Sequence, residues 1–332
     1  PLVSAVTYVL GGQWVEPAEK AGIAELTTRS LTAGTRNLTT SAWDRVLTEH
    51  VLDYSTALNF GDRSNVTRNV YARDGATVSL AGTKSQWPLV MALMGEALFR
   101  PTFPESEVDK AREVLLTEID TLGENNLEYI KQEFHRTAYA GHPYGRPTIG
   151  ERGTVAGLTA EDVRAYHAAT WTPDRMVVAV AGDVDPDEVA AFVAAHWADA
   201  PDRRSGPLKF EKVARPTQRP PTRTLALDRA QWCVNIGAPA MAAASKDATA
   251  MELLMAVARG KHFYKYVYEK GVSYRSWIKM WPLLAGGPWL LENDVARQGF
   301  DETVAEMERD MADNARALFG QADVDLARSR LR

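Results

Sequence analysis

Between Pro201 and Arg223 the chain reads PDRRSGPLKFEKVARPTQRPPTR, five prolines set among many basic residues. Proline fixes φ and has no amide hydrogen, so such a run stays extended and enters neither a helix interior nor a central strand. It falls within a chain of 332 residues, already long for one hydrophobic core. The expectation is two domains, 1–200 and 224–332, with 201–223 as the linker. A long surface loop is the alternative, and the length of the segment favours the linker.

On both sides of that segment the pattern is mixed α and β. Residues 1–10 are β-branched and aromatic, a strand closed by Gly11 and Gly12. Periodicity turns helical over 22–30, with Gly34 placed as a C-cap. VTRNVYARDGATVSLAG (66–82) reads as two strands turning at Asp74-Gly75. Helices are expected over 85–99 and from Glu105 to about Thr137, where Val108, Ala111, Leu115, Ile119 and Leu122 form one stripe. AGHPYGRPTIG (140–150) is a loop, Thr159 an N-cap, 175–184 a strand and 186–196 a helix. Strand character at 225–240, a helix at 247–258, an aromatic segment at 262–284 and a helix at 300–320 follow. The two halves share an order of elements but no residue-level repeat. The class is α+β rather than a strict βαβ series.

Composition removes several functions. A net charge of -5 argues against a nucleic-acid partner, since phosphate binding needs clustered Lys and Arg. Cys233 is the single cysteine, which rules out an intrachain disulfide and makes a thiolate metal site implausible; it is expected as a small buried hydrophobe. None of the six histidines stands three or four residues from another, so no helical zinc dyad exists. No stretch nears the roughly 20 apolar residues of a transmembrane segment. The start at Pro1, without Met or a basic leader, looks trimmed. A soluble protein of a bacterial cytoplasm or periplasm is expected, with the compartment open.

The segment GIAELTTRSLTAGT (22–35) resembles the zinc-site segment of the pitrilysin/insulinase metallopeptidases, close to G-[IL]-A-H-x-x-E-H-x-x-x-x-G-T. Gly22, Ile23, Ala24, Leu31, Gly34 and Thr35 match the frame. The chemistry does not match: Glu25 and Arg29 stand at the two His positions and Thr28 at the general base. Glu followed by Arg at i+4 is the favourable order for a helix ion pair, worth about 0.2–0.5 kcal/mol where exposed. An exposed local pair is therefore expected, with Arg29 a fixed cation at the metal's place. PTFPESEVDKAREVLLTEID (101–120) is similar to the helix bearing the family's distal zinc-binding Glu, for which Glu107, Asp109, Glu113 and Glu118 are candidates. HPYGRPTIGERGTVAGLTAEDV (142–163) and RMVVAVAGDVD (175–185) match further family segments, with His142 in a structural turn. FYKYVYEKGVSY (263–274) is similar to R-E-K-x-G-L-x-Y, whose Arg and Tyr polarise the substrate carbonyl. Here Tyr268 stands at the Arg position and Tyr274 at the Tyr, one residue short. On spacing alone Tyr274 reads as half-buried packing on an alternating strand; a substrate-facing hydroxyl is what the resemblance implies.

The resemblance implies two related α+β domains, each an antiparallel or mixed sheet packed with helices, forming a half shell whose second domain is incomplete at Arg332. It implies no catalytic residue and no metal or cofactor in this chain, with zinc in a homologous partner subunit. The function implied is a non-catalytic subunit of a heteromeric zinc metallopeptidase, completing a chamber for peptide substrates. The alternative is a structural assembly subunit of the same fold, with no part in proteolysis. A hydrolase with a rearranged site would need a base–nucleophile pair, and none is visible.

Overall fold

The computed structural model describes residues 1–58, 73–198, 200–202, 204–214, 222–225, 231–314 and 320–331. The elements run β1 (Leu2–Leu10), α1 (Ile23–Ser30), α2 (Thr40–His50), β2 (Asp53–Leu58), β3 (Gly75–Thr83), α3 (Trp87–Phe99), α4 (Glu105–Thr121), α5 (Asn126–Ala138), α6 (Arg152–Val155), α7 (Ala160–Thr170), β4 (Met176–Gly182) and α8 (Pro186–His196). They continue through β5 (Gln231–Pro239), α9 (Ala248–Phe263), a π-turn (Tyr264–Glu269), β6 (Ser273–Met280), β7 (Pro288–Ala296), α10 (Phe300–Asn314) and α11 (Gln321–Leu331).

The chain forms two compact units. One comprises Pro1–Gly123 and Arg146–Lys209, the other Glu124–Gly145 and Phe210–Arg332. The sequence reading runs the first domain unbroken to 200, whereas 124–145 group with the second unit. The cause is a break in the long helix expected from Glu105 to about Thr137. Gly123 interrupts it, and Asn125 restarts it by accepting a hydrogen bond from the Glu128 amide, so α4 and α5 are separate helices. Within 201–223 no described residue is helical or stranded, yet the segment is fastened: Asp174 accepts from the amides of Ser205 and Gly206, and the Val213 amide donates to Ala285.

In the first unit the sheet order is β2-β3-β1-β4, antiparallel throughout. Alternation puts Val3, Ala5 and Val9 of β1 on one face, with Val78 and Leu80 of β3, against Leu26, Val90, Met94 and Leu98 of the helices. Both sides of β3 are taken by β1 and β2, so Asp74-Gly75 opens β3 rather than turning a hairpin. Most of the hairpin's expected first arm, 66–72, lies outside the described residues. Gly34 is not a C-cap either: α1 ends at Ser30, and Gly34 lets the backbone pass Pro104, which a Cβ would meet at 3.0 Å.

In the second unit the order is β5-β7-β6, again antiparallel. Read from its other edge it is β6-β7-β5, matching β2-β3-β1 strand for strand, with a helix after the first strand in each. The halves are thus related in topology, although their residues do not repeat. One face of this sheet packs Ile278, Leu291 and Val295 against Met255, Ala258 and Tyr266. The other carries Glu292, whose carboxylate lies 3.3 Å from the buried Lys131 ammonium of α5.

Candidate functional site

Two of the most family-like segments meet at the start of α1. Gly22 caps the helix in the left-handed region (φ 99°), and a Cβ there would lie 2.8 Å from Val155 and 3.0 Å from Gly150. The Thr154 hydroxyl donates to the Ala21 carbonyl at 2.8 Å. Gln13 donates to the carbonyls of Arg146 and Pro147, and Arg146 returns donors to the carbonyls of Glu16 and Gln13. The loop after Tyr144 therefore braces the approach to α1. His142 sits in a turn, its Nδ1 accepting from the Tyr144 amide. The Ala24 amide donates to Glu16 Oε1 at 2.8 Å, so a buried carboxyl supplies the cap that Gly22 cannot. Burial pushes the Glu16 carboxyl up to about 8, against the lowering pull of the Ala24 amide and Arg146.

One turn on, Arg29 Nε donates to Glu25 Oε1 at 2.6 Å. The same guanidinium donates from Nη1 and Nη2 to Glu118 Oε1 and Oε2 at 2.9 and 2.7 Å, a bidentate fork from α1 to α4. Of the four carboxylates considered for the distal position, Glu118 is the one that reaches α1. Glu25 is 4% exposed. The expectation of a surface ion pair is overturned: spacing gave the pair correctly, but the helix face that carries Glu25 is buried. Burial opposes the charge on Arg29, yet Glu25 and Glu118 outweigh it and hold the guanidinium above its ordinary value. Thr28, at the general-base position, is also buried and turns its hydroxyl onto the Ala24 carbonyl at 2.7 Å.

This set does not fit zinc. Two carboxylates converge, but the guanidinium fills the space between them. Among the described residues no group of three or more His, Cys, Asp or Glu could hold a metal ion.

The family pattern described as "Insulinase (Peptidase family M16)" matches residues 2–152, and the one described as "Peptidase M16 inactive domain" matches residues 157–331, more than half of the chain. The chain belongs to peptidase family M16. An uncharacterized zinc protease of Mycobacterium leprae is 33% identical over 113 residues, 34% of this chain and 25% of the relative. A probable mitochondrial-processing peptidase subunit beta of Schizosaccharomyces pombe is 26% identical over 193 residues, 57% of this chain and 39% of the relative. The alignments thus span well under half the length of these curated relatives. The solved peptidase M16 inactive domain from Pseudomonas fluorescens superposes with TM-score 0.85 at 19% identity, over 100% of this chain and 78% of that one. A protease from Helicobacter pylori gives 0.84 at 17%, over 99% and 78%.

In this M16 chain the two tyrosines singled out from sequence lie in the second unit, at the surface. Tyr268 is 71% exposed on the π-turn, its ring 5.5 Å from Phe263. Tyr274 is 80% exposed, which overturns the half-buried expectation. The reason is a bulge: pairing with β7 passes from Ser273 to Arg275 and leaves Tyr274 out of register. Beneath the π-turn, His262 and Tyr266 are buried, with the His262 Nδ1 3.0 Å from the Ser276 hydroxyl and the Tyr266 hydroxyl on Asp310. Burial lowers the His262 imidazole to about 4, with Asp310 pulling the other way. Sequence reasoning passed over this cluster, whose signal was a histidine and a tyrosine at i and i+4. Cys233 is not the apolar filler expected: its thiol donates to Asp294 at 3.1 Å, and burial, then Asp294, push it up to about 12. No helix among the described residues is long and apolar enough to cross a membrane.

Proposed function

We propose that this chain is a non-catalytic subunit of a heteromeric zinc metallopeptidase, completing the peptide-binding chamber of a zinc-bearing M16 partner. The observation that carries the reading is the Arg29 guanidinium held between Glu25 and Glu118, with Thr28 at the base position turned to the backbone. A side-chain cation keeps α1 and α4 together while removing metal and base alike, so what remains is a wall for binding. Extended peptides suit such a wall, since antiparallel sheet edges take a strand through main-chain bonds. Tyr274 and Tyr268 are the substrate-facing candidates because both are exposed and neither is needed for the core. The similarity to a mitochondrial-processing peptidase beta subunit supports a partnered arrangement.

The test adds this chain in increasing amounts to a zinc-bearing M16 partner and follows peptide cleavage, with complex formation read by analytical ultracentrifugation. Activity should rise with added chain, and Tyr274→Phe should lower turnover by up to ~10²-fold if its hydroxyl stabilises the developing charge. Metal analysis after zinc loading and desalting should find no stoichiometric zinc in the chain alone. Flat activity and no complex would sink this reading and favour the structural assembly subunit; one tightly held zinc would remove its basis.

A further inference from the structure

Between β6 and β7 the chain turns through Leu283–Gly287, and three separate segments take up main-chain groups of that turn. The Tyr144 hydroxyl of the HPYG loop accepts from the Ala285 amide at 3.1 Å. The Tyr139 hydroxyl, just past α5, donates to the Gly286 carbonyl at 3.2 Å. From the linker, the Val213 amide donates to the Ala285 carbonyl at 2.9 Å. The Ala240 and Ala243 amides donate to the carbonyls of Gly287 and Leu283 at 2.7 and 2.9 Å. All these residues belong to the second unit. Both tyrosines are buried, their rings edge to face at 5.8 Å, and Leu283 and Ala285 are buried as well. A Cβ on Gly286 would lie 3.7 Å from Val213, so the linker sits directly on the turn.

We propose that Tyr139 and Tyr144 form a latch that seats the linker. A peptide unit is planar, so fixing one of its polar groups orients the whole unit. Tyr144 holds the unit before the Ala285–Gly286 peptide through its N–H, and Tyr139 holds the unit after it through its carbonyl. The carbonyl between them is the one that receives Val213. The linker's other fastening is in the first unit, where Asp174 accepts from the Ser205 and Gly206 amides. Loss of either tyrosine hydroxyl therefore loosens the linker at 213 and leaves its hold on Asp174. Two residues after Tyr144 the same loop enters the first unit, where Arg146 reaches the carbonyls of Glu16 and Gln13. One loop braces the approach to α1 through Arg146 and seats the linker through Tyr144. The latch is independent of the subunit reading above, since it involves no partner chain.

The experiment uses the full chain under native conditions, reading amide hydrogen exchange and limited trypsin cleavage after Lys209, both of which follow local opening. Tyr144→Phe and Tyr139→Phe each remove one hydroxyl and keep the ring. In both, exchange at the Val213 amide and cleavage after Lys209 should rise about fivefold, the worth of one hydrogen bond. The Ser205 and Gly206 amides should keep their protection. Val213→Pro removes the donor from the linker side and leaves the tyrosines untouched. It should raise the same cleavage and, because coupling is reciprocal, also exchange at the Ala285 amide. Combined with Tyr144→Phe it should add little, since both changes open one latch. Tyr266→Phe, which takes a hydroxyl from Asp310 in the same unit, should leave the linker unchanged. Unchanged cleavage in both tyrosine variants, an equal rise at every trypsin site, an Ala285 amide indifferent to Val213→Pro, or full additivity of the double variant would overturn the proposal.

Discussion

Removing the Arg29 guanidinium would leave Glu25 charged in a buried position and Glu118 without its bidentate donor. Cutting one member from a buried pair costs about 3–5 kcal/mol. Since Glu118 is 41% exposed, about 2–3 kcal/mol is the fitting expectation for Arg29→Ala in urea melts. Added guanidinium ion at low millimolar concentration should recover part of the loss, which a generic packing defect would not show. Arg29→Lys should recover little, because an ammonium cannot span Glu25 and Glu118 with the same fork. Glu16 makes a prediction of opposite character. Its folded value of about 8 lies above the ordinary 4.5, so the folded chain keeps a proton that the unfolded chain releases. That contribution is complete below about pH 4.5 and is lost as pH rises through 8. Glu16→Gln fixes the neutral form, and the fall in stability between pH 5 and 9 should shrink by about 2 kcal/mol or more. An unchanged slope in melts across that range would refute the assignment.

At the scale of single elements, α2 ends on Val51 in the left-handed region (φ 52°, ψ 48°), with its side chain 86% exposed. A β-branched residue is strained there, and nothing is packed on it that glycine would lose. Val51→Gly should raise stability by about 1 kcal/mol, visible as a higher Tm; a fall would mean the strain is compensated elsewhere. Elements of this kind mark what a sequence does and does not disclose. The frame Gly22, Ile23, Ala24 and the HPYG loop were legible because close backbone approach demands particular residues at fixed spacing. The Glu25–Arg29 pair was legible as spacing, but its burial was not, since i,i+4 gives neighbourhood on a helix and says nothing of what covers it. Glu118 stayed one of four candidates because a contact 89 residues away has no local signature. The α4–α5 break was written in Gly123 and Asn125, yet the hydrophobic stripe running up to it outweighed them. For the bulge at Tyr274 and the π-turn before it, strand and helix periodicities differ from regular ones by a single residue, below what spacing resolves.

Over the whole molecule, acid should act on the second unit through His262. Its folded value of about 4 lies below the ordinary 6.5, so the unfolded chain takes up the proton first, and stability falls as pH drops from about 6.5 toward 4. The loss can reach about 3 kcal/mol, and His262→Gln should flatten it while leaving the Tyr266–Asp310 contact in place. Because Glu16 acts in the opposite sense over part of this range, the test is the difference between the two chains: a His262→Gln profile parallel to the parent's from pH 7 to 4 would refute this. The two units are also threaded through each other's sequence, with the chain leaving the first at Gly123 and returning at Arg146. During synthesis α5 therefore emerges long before β5, β6 and β7. Until Gln231–Ala296 follow, the Lys131 and His135 that become fully covered in the finished fold have no sheet to lie on. A nascent chain halted near residue 200 should accordingly be a client of chaperones rather than a finished half, and a protease acting on it should cut first within 124–145.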